Sequence, residues 1–461
     1  MVSRIPGKSR KFFGCDGGAL MTLVRARPRA FAVGFRDVLT WNVASQFAVD
    51  WNWPSEIVRP LGQALTRQIE PALNAATPES SVTLLTIRFD GSIEPRDPIL
   101  INEIKGNLFR VHPGNVVFSK IDVRNGAIGL APDNIENMCV TSEFPVYSVD
   151  SKQILPGYVK LLFRTDAFRK LLNSMISGAS GRKRIQPSQL EEVKVPIPPL
   201  SAQHEIVSYW EVGQRKRALA ERSLADLIDE LNRHLVSETH SFHGTTDSRV
   251  IVANYAKTQQ WDLKAGRAAA FISANQNFLK LGDYIEECSE TVRPWEGPEK
   301  EWPIYGVNNK SGIFLNTRQK GHKFNAPNKI IRKDWFFHNP TRANVGSLGI
   351  VPDVPENALT SPEYQVWRLI GGFLPSFMAL LIRTTYFLRL VAFNRVGGVK
   401  QRMYYSNLAE IRLPVLDDKL QNDFALRRQG ILADIDHANE TLMERKGEIE
   451  QMILGTHSVE V

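Results

Sequence analysis

The chain is written twice. Trp41-Asn42-Val43 answers to Trp261-Asp262-Leu263, and Leu61-Gly62 to Leu281-Gly282, both at an offset of 220 residues. At the same offset, Gly126-Ala-Ile-Gly129-Leu-Ala-Pro132-Asp133 answers to Gly346-Ser-Leu-Gly349-Ile-Val-Pro352-Asp353. The register then slips by one, pairing Thr141-Ser142 with Thr360-Ser361 and Arg164-Thr165 with Arg383-Thr384. It slips once more where Arg184 meets Arg402, Ser188 meets Ser406, Leu190 meets Leu408, Pro196 meets Pro414 and Gln203 meets Gln421. Ordered identities that drift by only two residues over some 160 positions are hard to obtain by chance. The chain is a duplication, and whatever one half folds into, the other must fold into as well.

Each copy has the same two-part build. The first part, residues 36–200 and again 256–416, mixes short apolar runs with turn residues. Ser81–Ile87, Asn115–Phe118 and Asp334–Phe337 read as strands, and Tyr158–Leu172 and Phe377–Val391 as helices. The second part is helical. Ser201–Val236 holds no proline, and Leu224, Leu227, Leu231 and Leu235 recur at three- and four-residue steps. In Asp417–Leu454 the stripe is Ile431, Ile435, Ala438, Leu442, Ile449 and Met452, broken once by Arg445. A helix of nearly 40 residues is about 60 Å long and overshoots a compact domain, so it needs a partner. The cheapest partner is the equivalent helix of the other repeat. The fold expected is α+β: two tandem repeats, each a mixed domain followed by a long helix, with the helices pairing as an antiparallel coiled coil. Residues 1–35 form a basic arm, 201–240 and 417–461 the helices, and 241–255 the linker between halves.

Charge and composition limit what such a chain does. The 461 residues carry a net charge of +8, which favours a polyanionic partner. Cys15, Cys139 and Cys288 are far apart and form no CxxC pair, which fits a reducing cytoplasm and excludes a disulfide framework. His240 and His243 have no cysteine or acidic ligand nearby, so no metal site is expected. The apolar stretch Phe373–Phe393 carries Arg383 and Arg389, and reads as buried helix rather than a membrane span.

One segment is similar to a known family. Leu190-Glu-Glu-Val-Lys-Val-Pro196-Ile-Pro198-Pro199-Leu-Ser-Ala-Gln203-His-Glu-Ile206-Val207 resembles the junction between recognition domain and spacer helix in type I restriction–modification specificity subunits. Proline neither extends a strand nor donates to its ladder, and it stiffens the exit into the helix. The second copy, Leu408-Ala-Glu-Ile-Arg-Leu-Pro414-Val-Leu-Asp-Asp-Lys-Leu-Gln421, keeps the frame but loses the Pro-Pro. Phe337–Gly349 also looks like a turn of these domains. The resemblance runs along nearly the whole chain after residue 36. It implies two target recognition domains at opposite ends of a helical pair, each reading one half of a split double-stranded DNA target. It implies two methyltransferase subunits docked on the spacers, with motor-nuclease subunits joining them.

Bases are read by side chains at their edges: Arg forks match guanine, Asn and Gln match adenine. In the first domain the candidates are Lys120, Arg124, Arg182, Lys183 and Arg184. In the second they are Asn308, Asn309, Lys310, Arg318, Lys320, Lys323, Arg342, Lys400 and Arg402. Residues shared between halves, Gly126 and Gly346, Pro132 and Pro352, Arg164 and Arg383, are expected to be scaffold. A nuclease would use Asp133, Glu192 and Lys194 around Mg²⁺, but the second copy has Arg412 for the lysine. A coiled-coil adaptor would explain the helices but not two basic α+β repeats. No glycine-rich cofactor loop, Asn/Asp-Pro-Pro-aromatic motif or phosphate loop is present, so no catalytic site and no cofactor are expected.

Overall fold

The computed structural model describes residues 49–72, 81–104, 106–133, 137–175, 184–238, 278–397 and 400–457. The chain divides into two compact units, Met1–Ile197 and Pro198–Val461. The basic arm and the linker at 241–255 lie outside the described residues.

In the first unit the strands are short, and Pro60, Pro95 and Pro196 each end one. They are β1 (Val58–Pro60), β2 (Leu65–Gln68), β3 (Ser81–Ile87), β4 (Ile93–Pro95), β5 (Ile99–Leu100) and β6 (Leu108–Arg110). There follow β7 (Val116–Phe118), β8 (Ile128–Leu130), β9 (Met138–Thr141), β10 (Val146–Val149) and β11 (Lys194–Pro196). Strands β1 and β11 pair alone, one sheet runs β2-β10-β7-β8, and another runs β4-β3-β9-β6. An isolated bridge from Pro71 to Phe109 extends the last sheet beyond β6. Helices α1 (Pro156–Leu162), α2 (Asp166–Ser174) and α3 (Pro187–Glu191) complete the unit.

The second unit opens with α4 (Leu200–Glu238) and then β12 (Phe278–Lys280), β13 (Ile285–Glu287), β14 (Thr291–Val292), β15 (Glu301–Asn308) and β16 (Gly312–Lys320). It continues with β17 (Asn328–Ile330), β18 (Phe336–His338), β19 (Leu348–Ile350), β20 (Leu359–Thr360), β21 (Gln365–Leu369) and β22 (Arg412–Pro414). Its sheets are β12-β22, β13-β21-β18-β19 and β14-β17-β20-β15-β16. In both units the central pair of the largest sheet is parallel, β3 with β9 and β15 with β20. Helices α5 (Pro375–Leu381), α6 (Thr385–Asn394), α7 (Tyr405–Ala409) and α8 (Asp418–Leu454) follow.

Two expectations are corrected. The apolar runs Tyr158–Leu172 and Phe377–Val391 are each two helices, the second pair bent by 76°. At each break one threonine serves both helices. The Thr165 hydroxyl donates to Leu162 O at 2.7 Å and accepts from Phe168 N at 3.1 Å. Thr384 does the same with Leu381 O at 2.7 Å and Phe387 N at 3.2 Å. One side chain thus adds a bond to the last carbonyl of one helix and caps a free amide of the next, which periodicity alone cannot reveal. Strand β18 also begins later than Asp334, because Asp334 takes a left-handed φ of 65° in a turn. Among the described residues no single helix is long and apolar enough to cross a membrane.

The core of the second unit joins domain and helices. Phe336 stacks on Trp367 at 4.5 Å, and Phe377, Tyr386 and Phe424 fill in around them. Leu227, Leu231 and Leu235 of α4 are buried in this same cluster, with Leu224 and Ile431 packed at its edge. Farther along α8, Ala438, Leu442, Ile449 and Met452 are buried and Ile435 is half-buried. Arg427 forks onto Glu230 at 2.8 and 2.5 Å. Tyr209 Oη donates to the Glu448 carboxylate, while Arg445 lies over the Tyr209 ring at 4.2 Å. Arg445, which interrupts the apolar stripe, therefore has a partner across the helices.

The exit into α8 replaces the lost prolines with a cap. Asp417 accepts from Leu420 N at 2.7 Å, the N-cap bond that fixes where a helix starts. Gln421 keys the first turn into the domain: its amide donates to Gly372 O at 3.1 Å, and its oxygen accepts from Leu374 N at 3.2 Å.

His338 is buried with Nε2 donating to Met403 O at 2.9 Å, which leaves Nδ1 without a donor. Burial pulls its pKa down from 6.5 to about 4, against the carbonyl bond that favours the charged ring. Between those values the unfolded chain binds a proton that the folded chain excludes. Stability held above pH 6.5 is therefore lost as pH falls toward 4, by about 3 kcal/mol at most. His338→Gln keeps a donor and should remove this part of the acid sensitivity; thermal melts of both proteins at pH 7 and pH 5 measure it. Gly430 and Gly447 sit in α8 with open space where a Cβ would go. Replacing both with Ala should raise the melting temperature, each gaining about 0.5–1 kcal/mol of helix propensity.

Candidate nucleic-acid interface

In each unit a half-buried arginine fixes a hairpin turn against a glycine turn. In the first unit, a 3-10 turn at Val123–Asn125 ends on Gly126, whose φ of 103° is left-handed. Arg164, at the break between α1 and α2, donates from Nη1 to Gly126 O at 2.9 Å and to Phe89 O at 3.3 Å. Its Nη2 donates to Ile128 O. Phe89 belongs to the turn joining β3 to β4, and a Cβ on Gly126 would collide with the Phe89 carbonyl. Glycine is required at 126 on both counts.

The second unit repeats the arrangement. The turn Ala343–Val345 ends on Gly346 at φ 90°. Arg383 donates from Nη1 to Gly346 O at 3.2 Å and from Nη2 to Asn309 O at 2.5 Å. Asn309 lies in the turn joining β15 to β16, which Asn308 closes by accepting from Lys310 N at 2.8 Å and Ser311 N at 2.6 Å. Burial pulls both guanidinium groups below their ordinary pKa, and Asp90 opposes that shift at Arg164. A charge so placed is tolerable because several carbonyl oxygens solvate it.

A second brace collects the remaining loops of that unit. Arg395 donates from Nη2 to Thr341 O at 3.2 Å and to Gln401 O at 2.6 Å. Met403 N donates to Pro340 O at 2.8 Å. Arg342 and Arg402 are therefore brought near each other, beside the Asn308–Lys310 turn that Arg383 ties to Gly346; Lys400 is exposed on the same loop. In the first unit Ile185 N donates to Lys120 O at 2.9 Å, which sets Arg184 beside Lys120 and the Arg124 turn. Arg184 also pairs with Glu143 at 3.4 Å. Arg182 and Lys183 lie outside the described residues.

Three candidates stand apart. Arg318, Lys320 and Lys323 lie at the end of β16 away from its turn, about 20–30 Å off at strand rise. Lys320 pairs with Glu299 at 2.8 Å and Arg318 approaches Glu301 at 3.9 Å, exposed contacts that neutralise part of that end. Of the residues suggesting a nuclease, Asp133 is in the loop after β8, Glu192 caps α3 and Lys194 opens β11. Among the described residues no group of three or more His, Cys, Asp or Glu is placed to hold a metal ion.

Sequence reasoning named Arg164 and Arg383 as scaffold without seeing what they hold. It missed Arg395 and Phe89 altogether. The matched spacing from Gly126 to Arg164 and from Gly346 to Arg383 was the available signal; the hairpin turns they grip share no sequence.

Comparison with protein families matches residues 101–225 to the type I restriction modification DNA specificity domain. Comparison with curated proteins gives no match. Solved structures align along most of the chain with low spatial overlap. The HsdS subunit from Thermoanaerobacter tengcongensis is 16% identical over 88% of this chain and 96% of its own, with a TM-score of 0.30. The S subunit of a type I restriction–modification system from M. genitalium is 14% identical over 89% and 98%, with a TM-score of 0.39. A chain from a structure describing assembly and conformational transition of the type I R-M system is 14% identical over 86% and 95%, with a TM-score of 0.38. The matched family segment contains the Pro196-Ile-Pro198-Pro199 junction and its Gln203 helix start, so the similarity to a type I restriction modification DNA specificity domain rests on residues 101–225.

Proposed function

We propose that the chain reads a bipartite double-stranded DNA target, one half with residues 36–200 and the other with residues 256–416. The observation that carries this reading is the repeated brace. The same arginine and glycine hold a hairpin turn in each unit, while the side chains on the turns and loops around it differ. A constant frame with a variable rim is what two readers of different half-sites require, since phosphate contacts set register and side chains at base edges set sequence.

The two repeats would stand in tandem, with α4 and α8 pairing as an antiparallel coiled coil. Supporting this, Tyr209 meets Glu448 near one end and Glu230 meets Arg427 near the other. Such a pair fixes the gap between half-sites and offers faces for two methyltransferase subunits, with motor-nuclease subunits joining the full complex. The chain itself would be non-catalytic, take no cofactor and work in the cytoplasm, its activity supplied by those partners.

The contact rim is Lys120, Arg124 and Arg182–Arg184 in the first domain, and Asn308–Lys310, Arg342, Lys400 and Arg402 in the second. Replacing Arg342 and Arg402 with Ala should flatten the salt dependence of duplex binding, by about one unit of log–log slope for each phosphate left without its cation. Arg318→Ala with Lys320→Ala, at the far end of β16, should leave the slope nearly unchanged. Anisotropy titrations over a salt series rank the two variants. The opposite ranking would remove the braced rim from the contact set.

A further inference from the structure

The brace makes two residues equivalent that no alignment would pair. Arg383 grips the hairpin turn of the second unit by Asn309 O, and Arg164 grips that of the first unit by Phe89 O. At the place where the second domain presents an amide beside Lys310, the first presents an aromatic ring that is 62% exposed. A single exposed aromatic means little in itself, since such residues are scattered over most surfaces. Its position is what counts.

The turn that carries Phe89 is closed by its own backbone. Gly91 N donates to Arg88 O at 3.0 Å and Arg88 N to Ser92 O at 2.9 Å. Asp90, the acid nearest the ring, is turned into the loop, where it accepts from Ser92 N at 2.9 Å and Ser92 Oγ at 2.7 Å. Glu94, on the following strand, is forked by Arg88 at 3.0 and 2.8 Å. The acids at this tip are thus engaged, and the Arg124 turn lies alongside on Gly126. The backbone is pinned while the ring is left outside.

We infer that Phe89 contacts a base of the first half-site, its ring packing on the 5-methyl group of a thymine in the major groove. A two-stranded β-ribbon fits that groove, and an apolar side chain reads there the one base that shows it a methyl. This rests on the DNA-recognition reading above and adds to it a specificity-determining residue of the first domain. Phe89 and Asn309 would then occupy matching reading positions, one apolar and one polar, so the two half-sites differ in base at corresponding places.

The test uses the full chain and duplexes carrying the sequence that its complex methylates, with each thymine of the first half replaced in turn by uracil. Wild type should prefer the intact duplex over a scrambled one. One uracil should weaken its binding about fourfold, the worth of a single buried methyl. Phe89→Ala should bind more weakly, keep the wild-type melting temperature and ignore that uracil, while Phe89→Leu should recover the sensitivity. If no first-half uracil matters to wild type, or Phe89→Ala responds to each as wild type does, the Phe89 contact is wrong although the DNA reading stands. No preference for the intact duplex over the scrambled one overturns both.

Discussion

A half-buried guanidinium between two loops holds the candidate interface together. Arg164 and Arg383 each lose much of their hydration, which disfavours their charge, and each recovers it from backbone carbonyls. Those carbonyls come from separate parts of the chain: a glycine-ended 3-10 turn and the tip of a β-hairpin. Removing the arginine would untie the two loops, and lysine could not fork to both. The glycines are part of the same device, because a Cβ on Gly126 would strike the turn that the arginine clasps. Loops that carry different side chains are thereby given one geometry.

The threonine next to each arginine completes the arrangement. By capping the end of one helix and the start of the next, Thr165 and Thr384 create the bend that puts the arginine at the break. In the second unit the core built on α5 and α6 also takes in Leu227, Leu231 and Leu235 of α4 and Phe424 of α8. The long helices are therefore bound to that domain by buried apolar surface, and Gln421 keys the second of them to the domain backbone.

Much of this was legible in the sequence. The paired residues Gly126 and Gly346, Arg164 and Arg383 stood out in the sequence, and they make the same brace in each unit. The long helices were visible through length and the absence of proline. The breaks at Arg164 and Arg383 were hidden, since the flanking residues keep a helical apolar pattern and only the hydroxyl contacts reveal the turn. Composition marked Arg342, Arg402 and Asn308–Lys310 alike with Arg318 and Lys320, and it could not foresee that the last two lie beside Glu301 and Glu299 at the other end of β16. Phe89 was not singled out, because what ties it into the brace is its carbonyl, a group that every residue has.

Co-expression of the chain with methyltransferase subunits, followed by single-molecule sequencing of the host genome, probes the two-reader reading most directly. Two short blocks of specified bases separated by a fixed run of unspecified ones are expected. Exchanging residues 256–416 for the second domain of a known type I specificity subunit should then change one block and leave the other intact. A continuous motif, or a change in both blocks, would contradict two independent readers held on one repeated frame.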